Sequence, residues 1–179
     1  MLVLEKDKFF REKAVVEKVT RKKSKEFGMI SIIRTSSTNE DFKQLVKELD
    51  IDLSIRDGEE HSFYSQFNKI DQLKWCVVVY ENDVAIGCGA IKEFSANTVE
   101  VKRMFVLHDQ RGKGIATIIL GELEQWAEEL NYEKCLLETG KKQPEAIGLY
   151  KKNGYQIIPN FGQYINVENS ICFEKIVAM

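Results

Sequence analysis

The chain is poor in the groups that hold metals. Its two histidines, His61 and His108, are isolated from each other. Its four cysteines, Cys76, Cys88, Cys135 and Cys172, are widely separated and fall in apolar runs. That spacing fits no zinc motif. Reduced thiols are expected instead, at least three of them packed as small hydrophobes. No apolar run is long enough to cross a bilayer, so no membrane partner is expected. The first few positions are charged, unlike the apolar segment of a signal peptide. A cytoplasmic location is the default expectation. Charge of one sign is lacking too: 26 Lys and Arg against 28 Asp and Glu leave a formal charge of −2. Such a balance gives no general basic field, and no nucleic acid is expected as a partner. There is no internal repeat and no low-complexity linker. A length of 179 residues with 44% hydrophobic content suits one domain with a short extension.

What the sequence does have is a glycine-rich turn between a strand and a helix. Residues 99–106, Val-Glu-Val-Lys-Arg-Met-Phe-Val, read as a strand. Gln110-Arg111-Gly112-Lys113-Gly114-Ile115-Ala116 follows. Then Ile115, Ile119, Leu123, Trp126 and Leu130 recur at helical spacing. Gly112 and Gly114 lack Cβ, so the backbone can bend sharply and expose its N–H groups. The first N–H groups of a helix have no internal partner, and the helix dipole adds positive charge there. Such a turn is an anion site suited to phosphate. The Walker A pattern is absent. The dinucleotide fingerprint is matched only in part, because Thr117 stands at its third glycine.

Elements follow in order along the chain. Residues 1–28 form a lysine- and glutamate-rich arm, with a weak helical stripe or no fixed structure. The domain is expected to begin near Met29 with a strand over residues 30–34. A helix starts at Thr38-Asn39-Glu40-Asp41 and buries Phe42, Leu45, Val46 and Leu49. Residues 50–58 read as a polar connection and residues 59–68 as a second helix. Three strands follow, over residues 74–80, 84–94 and 98–107, joined by tight turns into an antiparallel meander. This meander argues against a dinucleotide-binding fold, which alternates strands and helices. After the central helix come a strand at residues 134–138 and a helix opened by Pro144 and ended by Asn153-Gly154. Two strands close the chain, at residues 155–158 and 170–177.

Two motifs carry a resemblance. Arg111, Gly114 and Ala116 fill the pattern [Q/R]-x-x-G-x-[G/A], which resembles the acetyl-CoA pyrophosphate loop of the GNAT superfamily of N-acetyltransferases. The stretch from Ala146 to Tyr155, Ala-Ile-Gly-Leu-Tyr-Lys-Lys-Asn-Gly-Tyr, is similar to the A-x-x-L-Y-x-x-x-G-[FY] signature of the same superfamily. The element order resembles that fold over residues 29–177. The resemblance implies a mixed α/β, α+β-like fold: a central, mostly antiparallel sheet with helices on both faces.

It also implies chemistry. Acetyl-CoA is the expected co-substrate and an amine of a small molecule or peptide the expected acceptor, with a monomer or homodimer as the assembly. The backbone of Met104, Phe105 and Val106 would pair with the pantetheine arm. The amides of Arg111, Gly112, Lys113, Gly114, Ile115, Ala116 and Thr117 would take the pyrophosphate. Gln143 stands where many members carry a cofactor-contacting asparagine. Glu100, on the strand before the loop, is the candidate base for the amine. Period-two alternation would put Glu100, Lys102, Met104 and Val106 on one face. An exposed glutamate paired with Lys102 or Arg103 is the plainer alternative. Glu138 is a second acidic candidate. Tyr150 is the candidate acid for the leaving thiolate, against a buried tyrosine whose hydroxyl bonds the backbone. Arg56, Glu59, His61 and Tyr64 fall where relatives shape the acceptor pocket. A non-catalytic acyl-CoA-binding domain is the alternative of another class.

Overall fold

The computed structural model describes residues 28–71 and 73–178. The expected charged arm lies outside them, Gly28 excepted. Seven strands form one sheet in the order β1-β2-β3-β4-β5-β7-β6. They are β1 (Ile30–Thr35), β2 (Trp75–Glu81), β3 (Val84–Ser95), β4 (Thr98–Val106), β5 (Lys134–Gly140), β6 (Gln156–Ile158) and β7 (Ser170–Ile176). β2, β3 and β4 make the expected meander. Asn82 and Asp83, at φ 50° and 67°, form the tight turn of its first hairpin. Every neighbouring pair is antiparallel except β4 and β5.

Helices cover both faces. On one lie α1 (Glu40–Asp57) and the short α2 (His61–Ser65). Phe42, Leu45, Val46 and Leu49 of α1 pack on Val78, Ala90 and Phe105. On the other lie α3 (Ile115–Glu129) and α4 (Pro144–Lys152), over Val77, Val99, Leu137 and Phe173. The four cysteines are buried and unbonded to each other. No helix among the described residues is long and apolar enough to cross a membrane.

The first helical region differs from its sequence reading. α1 runs straight through the segment read as a polar connection and ends at Gly58. Asn39 caps its start, accepting from the Phe42 N–H at 2.8 Å. The Asp52–Arg56 pair, one turn apart, supports the continuation. Gly58 stops it at φ 57°, with its N–H turned to the Ser54 carbonyl. A 3-10 turn and only five residues of α2 remain where a ten-residue helix was expected.

The second difference decides the site. Cys88 pairs with Phe105, yet Ala90 pairs with Lys102, so β4 carries one extra residue there. It is a β-bulge, with Arg103 at φ 58°. The extra residue shifts the alternation by one. Glu100 and Lys102 lie on the α1 face, whereas Met104 and Val106 turn to the α3 face. The expected single face for these four residues is therefore corrected. β4 and β5 pair only from Thr98 with Lys134 to Glu100 with Leu136. Beyond that the two strands part.

α3 comes unusually close to β3. A Cβ built on Gly89 would sit 2.7 Å from Ile119 Cγ2 and 2.7 Å from Met104 Sδ. A methyl there overpacks the core, which typically costs about 1–3 kcal/mol. Gly89→Ala should lower the unfolding free energy from a urea titration by that amount, moving the midpoint down with the slope unchanged. A midpoint equal to wild type would mean that α3 is not held this tightly.

Candidate active site

Two cavities meet beneath the parted strands. The larger, about 360 Å³, lies between the loop after β4, the start of α3 and α4. Gly112 and Gly114 both stand in the left-handed region, at φ 76° and 83°. No atom lies within 4 Å of a Cβ built at either. Glycine is needed there for its backbone angles rather than for space. Gly114 caps α3 without a side chain, so the helix presents its first N–H groups to the cleft. Met104, Phe105, Val106, Arg111, Gly112, Gly114, Ile115, Ala116, Thr117 and Gln143 all line this cleft. Lys113 is the exception: it is exposed, and it donates to Gln110 Oε1 at 2.8 Å. Ile115 lines the cleft but is 3% exposed and belongs chiefly to the core.

Arg111 is fixed from three sides. Its Nε donates to the Val106 carbonyl at 3.0 Å and an Nη to Asp52 at 3.2 Å. Its guanidinium lies over the Phe105 ring, 5.7 Å from the centroid. Asp52 also binds Arg56, which reaches across to Glu145 on α4. Burial pushes the Asp52 carboxyl up, but the bonds from Arg56 and Arg111 outweigh it and leave it below its ordinary range. Arg56, expected near the acceptor, is instead held between Asp52 and Glu145, two residues that line the larger cleft.

The smaller cavity, about 100 Å³, opens on the α1 face of the sheet. Met104, Gln143 and Tyr150 line both cavities. Glu100 is 8% exposed and accepts from Lys102 Nζ at 2.9 Å. The plainer pairing with Lys102 is therefore present, but inside the cavity wall rather than on an exposed strand. Glu138 stands on β5, half-buried, and accepts from Ser170 Oγ at 2.6 Å. Burial pushes its carboxyl up to about 7, against the pull of Ser170 and Lys102. Asp57 and Tyr64 complete this wall from α1 and α2. Burial raises the Asp57 carboxyl as well.

Tyr150 sits where the cavities join. It is 5% exposed, and its ring packs against Tyr155 and Phe173. Burial pushes its phenol well above its ordinary range. No group among the described residues hydrogen-bonds its hydroxyl. The reading of a tyrosine tied to a backbone partner is therefore not what the structure holds.

Of the four residues expected to shape an acceptor pocket, Arg56, Glu59, His61 and Tyr64, only Tyr64 lines the smaller cavity. Glu59 is exposed, and His61 Nδ1 lies 3.6 Å from Asp57. Sequence reasoning missed Asp57, Tyr164 and Ser170. Asp57 lay in the stretch read as a connection. Tyr164 and Ser170 come from the far end of the chain, and no local spacing links them to Glu138.

Comparisons with known proteins fit this arrangement. Residues 42–155 match the Acetyltransferase (GNAT) family. An IAA acetyltransferase of Azospirillum brasilense is 31% identical over 149 residues, 82% of this chain and 97% of that protein. The N-acetyltransferase YsnE of Bacillus subtilis is 34% identical over 98 residues; that match spans 54% of this chain and 65% of YsnE. The PaiA N-acetyltransferase of Thermoplasma acidophilum, solved in complex with coenzyme A, has the same fold: TM-score 0.62, 19% identity, 82% of this chain and 98% of that one. The family match takes in the parted strands, the glycine loop and Tyr150 alike, and on it this chain belongs to the acetyltransferase (GNAT) family.

Proposed function

We propose that the protein transfers an acetyl group from acetyl-CoA to a primary amine of a small molecule or peptide. The observation that carries this is the junction of the two cavities at Tyr150. The larger suits the cofactor. Its glycine loop and helix start offer amides to a diphosphate. The β5 side of β4 at residues 104–106 suits an extended, amide-bearing arm. Acetyl-CoA would supply an electrophilic thioester carbonyl. Family membership and a coenzyme A-bound structure of the same fold support this cofactor.

The smaller cavity suits the acceptor. Asp57, Glu100 and Glu138 face it, against the ammonium of Lys102 and the guanidinium of Arg103, the latter already paired with Asp50. Such a wall favours a cation over an anion. An ammonium must lose a proton before it can attack. Glu100 is engaged by Lys102, and we assign it to hold the incoming cation. Glu138, with its carboxyl near neutrality, is better matched to take the proton at pH 7. The base expected at Glu100 is thereby reassigned to Glu138. Tyr150 keeps its proton and is available to protonate the departing thiolate.

Three variants test the parts. Gly114→Glu puts a strained, charged side chain at the cleft. Calorimetry should then show coenzyme A affinity reduced at least about tenfold in a folded protein; unchanged affinity removes the phosphate assignment. A panel of amines should release thiol from acetyl-CoA with the wild type. Cofactor binding without such release would leave the non-catalytic acyl-CoA-binding alternative. Tyr150→Phe should lower turnover about 10²-fold and leave the melting temperature unchanged, because none of the described residues bonds the hydroxyl.

Glu138→Gln should lower the rate about 10²–10⁴-fold and abolish an acidic limb near pH 7. It also has a signature in stability. The folded-state carboxyl is raised from 4.5 to about 7. Between those values the unfolded chain is ionised while the folded one keeps its proton. Stability therefore falls as pH rises through that window. The glutamine variant should be more stable than wild type at pH 8 by roughly 1–3 kcal/mol, and no more stable at pH 4. Equal denaturation midpoints at both pH values would place Glu138 in ordinary solvent.

A further inference from the structure

Two hydroxyls stand behind Glu138. Ser170 opens β7 beside Gly140 and is 4% exposed. Its Oγ donates to Glu138 Oε1 at 2.6 Å. The Tyr64 hydroxyl lies 3.3 Å from the same Oγ. A serine hydroxyl has one proton to give. Once Ser170 spends it on the carboxylate, its oxygen must accept from Tyr64. The direction is therefore fixed: Tyr64 donates to Ser170, and Ser170 donates to Glu138.

We propose that Ser170, braced by Tyr64, is a positioning residue that sets both the aim and the proton affinity of Glu138. This rests on the reading of Glu138 as the base. One carboxyl oxygen of Glu138, a residue that lines the acceptor cavity, is committed to Ser170. A bond donated to the carboxylate stabilises its charged form and opposes the effect of burial. The segment that carries Ser170 is itself held. Asn169 Nδ2 donates to Glu60 at 2.7 Å, and Asn160 Nδ2 donates to the Ser170 carbonyl at 3.3 Å. Tyr64 serves two purposes, since it also lines the acceptor cavity. The wall that meets the acceptor is thus the wall that tunes the base.

The other charged and titratable groups that face Glu138 are known. They are Asp57 on α1, Glu100 and Lys102 on β4, Tyr150 on α4, Tyr164 before β7 and Cys172 on β7. Among these described residues, Lys102 alone is cationic, and its ammonium bonds Glu100. Ser170 is the direct donor to the carboxylate itself.

The test is a titration of the Glu138 carboxyl in the free protein, followed by carbon-13 NMR. The signal is assigned by its loss in Glu138→Gln. Ser170→Ala should raise the midpoint by about 0.5–1 pH unit, the worth of one lost hydrogen bond. Tyr64→Phe should raise it less, and Ser170→Thr should restore it. An unmoved midpoint in folded Ser170→Ala overturns the proposal. The measurement needs neither acetyl-CoA nor an amine, so it stands apart from the acetyltransferase reading. That reading fails in a different place, when the wild type releases no thiol with any amine. Where an acceptor is found, the acidic limb of kcat/KM should move with the midpoint. A midpoint that moves while the limb stays overturns the positioning role, because the proton is then taken elsewhere.

Discussion

The site depends on one extra residue in β4. Arg103 sits in the left-handed region, where a non-glycine residue costs on the order of 1–3 kcal/mol. Its guanidinium is buried, and a buried charge must be paired. Asp50 on α1 supplies that pairing, and the Cys88 thiol donates to the Arg103 carbonyl at 3.5 Å. α1 therefore anchors the bulge as well as covering the sheet. Without the bulge, Glu100, Lys102, Met104 and Val106 would share one side. With it, the carboxylate and ammonium look into the smaller cavity while Met104 and Val106 meet α3. A single irregularity divides one strand between two jobs.

The packing around this strand explains why a cleft exists at all. α3 lies close on β3 because Gly87 and Gly89 offer no side chain against it. α1 fills the opposite face with Phe42, Leu45 and Val46. The sheet is thus covered on both faces where β2 to β4 pair. It is open where β4 and β5 part, since no ladder crosses there after Glu100 and Leu136. The glycine loop is delivered to that opening by the end of β4. Arg111, bonded to the Val106 carbonyl and to Asp52, fastens the loop to its own strand and to α1. Arg56 extends the same chain of charges to Glu145 on α4. The pairs centred on Asp52 are part-buried and shared, so they hold the walls of the cleft more firmly than isolated surface pairs would.

Much of this was legible in the sequence, and the limits have physical causes. The strands and the long helix announced themselves by period, as with Val77 to Val79 and with Ile115, Ile119 and Leu123. Most residues expected at the larger cleft fall in two short runs, 104–106 and 111–117, so the strand and loop motif located nearly all of them; Lys113, within the second run, is exposed and bonds Gln110. The bulge left no trace, because Lys-Arg-Met-Phe alternates equally well with or without an inserted residue. The helix boundary at Asp50 failed because charged residues at helical spacing read as a connection when their partners lie on other elements. The smaller cavity was read only in part: Tyr64 and Glu138 were named, but Asp57, Tyr164 and Ser170 meet them through tertiary packing, and no spacing rule spans these stretches.

The two glutamates show why residue type alone could not assign the proton. Glu100 and Glu138 belong to adjacent strands and line the same cavity. What separates them is the partner. An ammonium faces one, at 2.9 Å, and a hydroxyl faces the other, at 2.6 Å. Burial acts on Glu138 against the Ser170 hydrogen bond and the charge of Lys102, outweighs both, and its carboxyl rises toward neutrality. Two like groups with divergent environments are the usual way a site divides holding from proton transfer. The proposed division of roles therefore rests on Lys102 and Ser170, two residues that would not be chosen as catalytic on their own chemistry.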